Sequence, residues 1–168
     1  MFLEKTFINP KIEIRNSEIA SKGMFAKEKI NADEVVIKWG GEFFTTEEIK
    51  EKNKEDFLII QIDEDLWSVE KRGEYEEDYF INHSCDSNVW MIDGRTFVAK
   101  QNIEKGEELT VDYSLFESED YVSKWECHCG VSDCRKKITG KDCLLPEVQA
   151  RYKGHFSPMV QKRIYKNS

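Results

Sequence analysis

Proline and glycine are sparse in this chain, three and nine in 168 residues, and no Pro/Gly-rich linker, internal repeat or low-complexity tract divides it. That length is one domain's worth of material, enough to bury a core without disulfide staples. Long apolar runs are also missing: no segment reaches the roughly 18 apolar residues that a membrane-spanning helix needs, so no membrane association is expected. The opening Met-Phe-Leu-Glu-Lys-Thr has no basic stretch followed by an apolar one, which argues against a secretory signal. The expected setting is therefore the cytoplasm or nucleus, where thiols stay free or hold metal instead of forming disulfides. Positive charge is in deficit, with 25 Lys and Arg against 33 Asp and Glu, a net charge of −8. Phosphate contacts need clustered cations, so direct nucleic-acid binding is disfavoured. An acidic surface instead favours the approach of a basic, Lys/Arg-rich protein or peptide.

The first two-thirds of the chain read as short strands punctuated by turns. Ile12-Glu13-Ile14 and the stretch around Val35-Val36-Ile37 are strand-like, as are Phe57 to Ile62 and Leu66 to Val69, with the polar turn Asp63-Glu64-Asp65 between the last two. Thr45 and Glu48 are spaced as a capping box for a short helix through Ile49. Asp93-Gly94, between Val89–Ile92 and Thr96–Ala99, is the strongest hairpin signal. Lys105-Gly106 then turns the chain into a strand over Glu108 to Tyr113. Beyond Cys134 the texture becomes helical, over Leu144 to Tyr152 and Pro158 to Tyr165, with Ser157 as cap of the second piece. The pattern predicts a mainly β domain of several small sheets, finished by a metal loop and a short helical tail.

The five cysteines are unevenly spread. Cys127, Cys129 and Cys134 form a C-x-C-x4-C cluster in which Gly130 allows a tight turn, so that the sulfurs can converge on one ion. A structural zinc takes four ligands in a tetrahedron, so one is missing, and spacing leaves Cys85, Cys143 and His128 as candidates. His128, lying between two ligands, is the weakest of these.

Two further segments are unusual. Phe80-Ile81-Asn82-His83-Ser84-Cys85-Asp86-Ser87-Asn88 breaks from an apolar run into seven polar or small residues, which taken alone also describes an Asx-rich turn. Gly106-Glu107-Glu108-Leu109-Thr110-Val111-Asp112-Tyr113 follows one hairpin later. In series, these two segments and Cys127-x-Cys129-Gly130-x3-Cys134-Arg135 resemble the ordered signature of SET-domain protein-lysine methyltransferases, in a short single-domain form with a post-SET zinc loop. Ser17-x-Ile19-x3-Gly23-Met24-Phe25-Ala26 resembles the family's opening cofactor loop, and Val35 through Glu42 the strand and Gly-Glu after it. The resemblance spans roughly residues 10 to 140.

The resemblance implies a SET-domain, β-clip-like fold in which the Asn-His-Ser-Cys segment is threaded beside the Glu-Leu-Thr-x-Asp-Tyr strand as a pseudoknot. It implies an N-terminal extension over 1–9, the SET domain over 10–116, the zinc loop over 117–140, and a helical tail over 141–168 packing on or near the domain. It implies S-adenosylmethionine as cofactor, contacted by Asn82 and His83 and held mostly through the backbone of Lys22, Gly23 and Met24. Tyr79 stands at a further cofactor position where the family often has Arg. Trp125 and His128, flanking the first thiol, are candidates for packing on the adenine. Tyr113 matches the catalytic tyrosine, and Cys85 would join Cys127, Cys129 and Cys134 on one structural zinc ion. Cys143 is then a free thiol. Ser21 replaces a usual Gly, Ser87 a usual Pro and Lys136 the Gly after Cys-Arg. Val111 replaces a Phe or Tyr that commonly limits the number of methyl groups, which predicts di- or trimethylation.

Methyl transfer to lysine needs a neutral amine, while the free side chain has a pKa of about 10.4. No general base is evident among the motif residues. Burial and a neighbouring cation would disfavour the ammonium instead, and a Tyr113 hydroxyl could orient the amine. Tyr75 and Tyr79 are candidates for the channel wall. Two acidic runs, Glu70, Glu74, Glu76, Glu77 and Asp78, then Glu117, Glu119 and Asp120, would draw in a basic lysine-containing substrate, possible histone included, if they reach the channel mouth. The expected assembly is a monomer or weak dimer. The competing reading is a catalytically idle SET-like module that binds cofactor or a basic peptide.

Overall fold

The computed structural model describes residues 5–52, 56–71 and 77–167. Strands β1 (Phe7–Ile8), β2 (Ile12–Asn16), β3 (Lys22–Ala26), β4 (Val35–Lys38) and β5 (Phe43–Phe44) come first, then helix α1 (Thr46–Ile49). They are followed by β6 (Phe57–Asp63), β7 (Leu66–Lys71), β8 (Asn82–His83), β9 (Val89–Met91), β10 (Thr96–Ala99) and β11 (Glu108–Val111). Helices α2 (Pro146–Arg151) and α3 (Pro158–Lys166) close the chain. Short 3-10 turns cover Glu77–Phe80, Tyr113–Leu115 and Asp142–Leu144. Among the described residues no helix is long and apolar enough to cross a membrane.

The pairings run β1-β4-β10-β9-β11-β3-β2, with β8 alongside β11, and β5-β7-β6 form a separate small sheet. Local chemistry explains the joints. Thr45 accepts the Glu48 N–H while the Glu48 carboxylate accepts the Thr45 N–H, completing the box that starts α1. The β9–β10 hairpin forms where Asp93-Gly94 predicts it, but by a different device. The Asp93 carboxylate accepts the N–H groups of Arg95 and Thr96, each at 2.7 Å, and Gly94 does not enter the left-handed region. Left-handed φ is needed instead at Gly106, where the chain turns into β11.

The expected strand over Glu108 to Tyr113 ends at Val111. Asp112 stops it by accepting the Ser114 N–H and capping a 3-10 turn, so Tyr113 leaves the sheet instead of continuing along it. The expected helix over Leu144 to Tyr152 divides into a 3-10 turn and α2, because Pro146 cannot donate within a continuous helix and starts a new one.

Met24, Val36, Ile37, Val89, Met91, Leu109 and Val111 are fully enclosed in the main core, and Trp39 meets Phe97 edge-on at 4.7 Å. The tail joins this core through Tyr152, Phe156, Val160 and Ile164. Burying an apolar side chain such as Phe156 or Val160 contributes about 1.5–3 kcal/mol, so the tail is part of the fold. Phe7–Ile8 likewise pair with β4.

Candidate active site

Strand β11 is flanked on one side by β3, antiparallel, and on the other by β8 and β9, parallel, with Thr110 opposite Asn82 and Val111 opposite His83. Parallel neighbours cannot be joined by a tight turn. The segment from Asn82 to Asn88 therefore runs beside β11 as a long-range partner, and Asn88 locks it there. Its side-chain amide donates to the Glu108 carbonyl at 2.8 Å and its side-chain oxygen accepts the Thr110 N–H at 2.9 Å. The Asn-His segment and the strand that leads into Tyr113, far apart in sequence, are thus held side by side.

Asn82 points its amide into a polar nest. It donates to the Lys22 carbonyl at 2.9 Å and to the Glu108 carboxylate at 2.6 Å, which in turn accepts from the Ser17 hydroxyl. Gly23 is required by this approach: a Cβ there would lie 2.1 Å from the Glu108 carboxylate and 2.9 Å from the Asn82 amide nitrogen. Ser21 keeps ordinary negative φ, so replacing the family's Gly strains nothing. Lys22, Gly23 and Asn82 are thereby brought together. Met24 is not exposed to a ligand: its side chain is in the core and β2 and β11 pair on its two sides.

His83 is buried and neutral, its pKa pushed down to about 3 first by burial and then by the charge of Arg135. Its Nδ1 accepts the Tyr113 N–H at 3.2 Å, which leaves the proton on Nε2, facing the Cys85 sulfur at 3.4 Å. The Tyr113 hydroxyl donates to the Ile81 carbonyl at 3.0 Å, and burial raises its pKa well above that of a free phenol. Around the Tyr113 ring lie His83, Trp125 and Tyr121, with centroids 5.2, 6.2 and 6.5 Å away. Trp125 is 42% exposed and tilted beside His83 at 5.9 Å, so it offers a ring face to a bound group. Tyr79 is exposed and packs edge-on against Phe80. His128 is exposed and is not among the four groups that converge within 4.8 Å. Tyr75, Glu74 and Glu76 lie outside the described residues, as does the side chain of Glu70.

The thiol groups of Cys85, Cys127, Cys129 and Cys134 lie within 4.8 Å of one another, and all are unpaired as disulfides. Four sulfurs at about 2.3 Å from a tetrahedral ion would be about 3.8 Å apart, so a small contraction would complete a site. Burial pushes Cys85 up to about 11 and raises Cys127 further, while Cys129 falls to about 7 because N–H groups of Val131 and Cys85 outweigh its burial. Four thiolates cannot share this volume unaided, and a divalent cation removes that conflict by holding them deprotonated. The donor set fits a closed metal site. Gly130 supplies the left-handed turn between ligands, and the Cys85 sulfur also receives the Arg135 N–H at 3.5 Å. Cys143 is buried elsewhere, its thiol donating to the Gly140 carbonyl.

Three residues to which sequence reading gave no role organise this region. Arg135 donates to the fully buried Asp112 at 2.7 Å and is ion-paired with Asp142 at 3.2 Å, linking the thiol loop, the Tyr113 turn and the tail. From the tail, Arg151 donates to the Cys85 carbonyl and lies 2.5 Å from Asp133, while the Tyr152 hydroxyl accepts the Ser87 N–H at 3.1 Å. Arg135 was visible as the residue after the last ligand, but its partners were not.

A family model for the SET domain matches residues 21–114, more than half of the chain. Solved structures match in 208 chains. Among them is the crystal structure of the methyltransferase domain of human histone-lysine N-methyltransferase SETMAR, with a TM-score of 0.56 and 21% identity. The match covers 77% of this chain and 58% of that one, so this chain spans less than two thirds of the solved domain. No curated protein matches. Strand pairing, the Asn82-to-Tyr113 arrangement and the family match agree: this chain belongs to the SET-domain family.

Proposed function

We propose that the protein is an S-adenosylmethionine-dependent protein-lysine N-methyltransferase acting on a basic protein or peptide. The observation that carries this reading is the convergence on β11: Asn82, Lys22 and Gly23 form a polar nest, and the Tyr113 hydroxyl is bonded to the carbonyl of Ile81, the residue before Asn82. Asn82 and the Lys22 carbonyl suit the amino-acid end of the cofactor, and the exposed Trp125 face suits its adenine. Bound there, the cofactor supplies an electrophilic methyl on a sulfonium.

The chain's own residues must then deliver a neutral amine in line. The Tyr113 hydroxyl, fixed by the Ile81 carbonyl, stays protonated and can orient the amine through its oxygen. Burial of the lysine side chain disfavours its ammonium. Cys85, Cys127, Cys129 and Cys134 would hold a zinc ion. With four thiolates no coordination position stays open, so its role is structural, and the His83 and Arg135 contacts to Cys85 are outer supports. Val111, smaller than Phe or Tyr, supports the expectation of more than one methyl per lysine. A time course that stops at monomethyl-lysine by mass spectrometry refutes that part.

The test is transfer from labelled S-adenosylmethionine to histones and to lysate proteins, with Tyr113→Phe as control. We expect a loss of about 100-fold or more in kcat with cofactor affinity kept. Equal transfer by both proteins removes Tyr113 from the chemistry. Cofactor binding without transfer by either points to the idle module.

A further inference from the structure

A cavity of about 630 Å³ opens between the β5-β7-β6 sheet, the segment after Tyr113 and helix α3. None of the cofactor candidates lines it. Phe57, Ile59, Ile60, Trp67 and Met159 give it apolar walls, and Glu117 through Asp120 an acidic one. Glu117 stands one turn beyond Tyr113, its N–H donating to the Tyr113 carbonyl at 3.0 Å. Its charge reaches the hydroxyls of Tyr113 and Tyr121, raising both pKa values. Glu117 therefore lines the cavity on the turn that follows Tyr113, and Tyr113 itself is outside the lining.

We propose that the Glu117 carboxylate receives the ammonium of the target lysine beside Tyr113 and takes its proton. This rests on the methyltransferase reading for the reaction, though not for the binding. An apolar wall ending in one carboxylate matches a lysine side chain, a four-carbon stem with a cationic tip. The step balances: one N–H bond of the ammonium breaks, one O–H bond forms on Glu117, and the nitrogen keeps the electron pair it needs for attack. The acid then loses the proton to water through the open cavity. Partial burial penalises both charges of the pair and so brings the neutral amine and acid closer in energy to the ion pair.

The groups facing Glu117 allow this. Burial is the main reason its pKa rises to about 7; Asp120 raises it further and the Ser118 N–H lowers it. Tyr113 and Tyr121, both protonated, are within range of its charge. From α3, Arg163 donates to the Glu117 carbonyl and to the Gly140 carbonyl, so its cation is directed to main-chain oxygens. Lys162 pairs with Asp63 and Glu64 across the cavity, and Lys166 lines the rim. Among the described residues no cation is paired with the Glu117 carboxylate, which leaves it for an incoming one.

The experiment uses the full chain, wild type and Glu117→Gln, with a capped pentapeptide bearing one central lysine and its norleucine counterpart. Calorimetry should show wild type preferring lysine by at least about tenfold and Glu117→Gln showing no preference, with matching circular dichroism spectra. No lysine preference in wild type, or an unchanged one in the variant, overturns the proposal. In transfer assays the variant should lose about 100-fold at pH 7 and recover as pH rises to 9.5. Over that range the neutral fraction of a free lysine grows roughly 300-fold. Parallel pH profiles for the two proteins overturn the proton-accepting role. Loss of lysine preference in the variant, with no methyl transfer by wild type to any lysine, instead removes the methyltransferase reading and leaves Glu117 as the ammonium site.

Discussion

The two halves of the active region are built on different physics. Around β11, residues 80–112 are held by ladders of main-chain hydrogen bonds and by the Asn88 side chain inside a closed apolar core. The thiol loop has little of this. The bridge between Val122 and Thr139, the cross-loop bonds from Ser123, Cys127 and Gly140 to the carbonyls of Ile138, Lys136 and Tyr121, and a small cluster around Ile138 are its main-chain and apolar support. Its geometry depends on four sulfurs, the Arg135 ion pairs and the hold of the tail on Cys85 and Asp133. A sheet with its own closed core therefore carries a loop whose four thiols fit a metal ion. Two such parts should fail separately.

Metal removal is the strongest way to break the pair apart. Structural zinc contributes on the order of 10 kcal/mol to small thiolate domains. With a chelator, amide exchange should become fast at Cys127 and Ile138 while Thr110 and Val111 stay protected. Loss of protection everywhere at once would show that the sheet is not independent. Arg135→Met attacks the joint between the halves. It strands the buried Asp112, which costs about 3–5 kcal/mol and should appear as a lowered denaturant midpoint with the zinc still bound.

The segment leading from sheet to thiol loop offers a smaller, pH-selective test. The Glu117 carboxyl has an ordinary value of 4.5 and rises to about 7 in the folded chain, chiefly through burial. A raised folded pKa means that the native state binds the proton more tightly. Its stabilising effect is present below the unfolded value, declines as pH rises through the folded one, and is lost above it. Glu117→Gln should therefore melt with wild type at pH 4 and a few degrees higher at pH 8. Equal melting temperatures at both values would mean that the carboxyl is solvated. The smallest effect is expected inside the thiol loop. Lys136 has a left-handed φ of 63°, which strains a side-chain-bearing residue by about 1 kcal/mol. Lys136→Gly should raise the melting temperature slightly without changing the behaviour of β11.

Much of the molecule was legible in local patterns, because the effects behind them are local. Thr45 with Glu48, Asp93-Gly94, Ser157-Pro158 and the Gly130 turn act over three or four residues, and each occurs where its spacing predicts. The end of β11 was not legible. Alternation continued through Tyr113, but the Asp112 side chain offered the Ser114 N–H a closer acceptor than a neighbouring strand could.

The sequence by itself determined the kind of chemistry this protein can hold: thiols in ligand spacing, an Asn-His segment, a tyrosine after Glu-Leu-Thr-Val-Asp, and acid in excess over base. Residue type and short spacing are properties of the chain alone. Only the tertiary structure decided that Cys85 stands with the other three thiols and Cys143 does not. It also decided that Arg135 spans two buried carboxylates and that Glu117, one turn after Tyr113, lines a cavity. Those outcomes depend on which distant segments share the interior, and parallel pairing of β8 with β11 sets that by packing and burial over long stretches of chain.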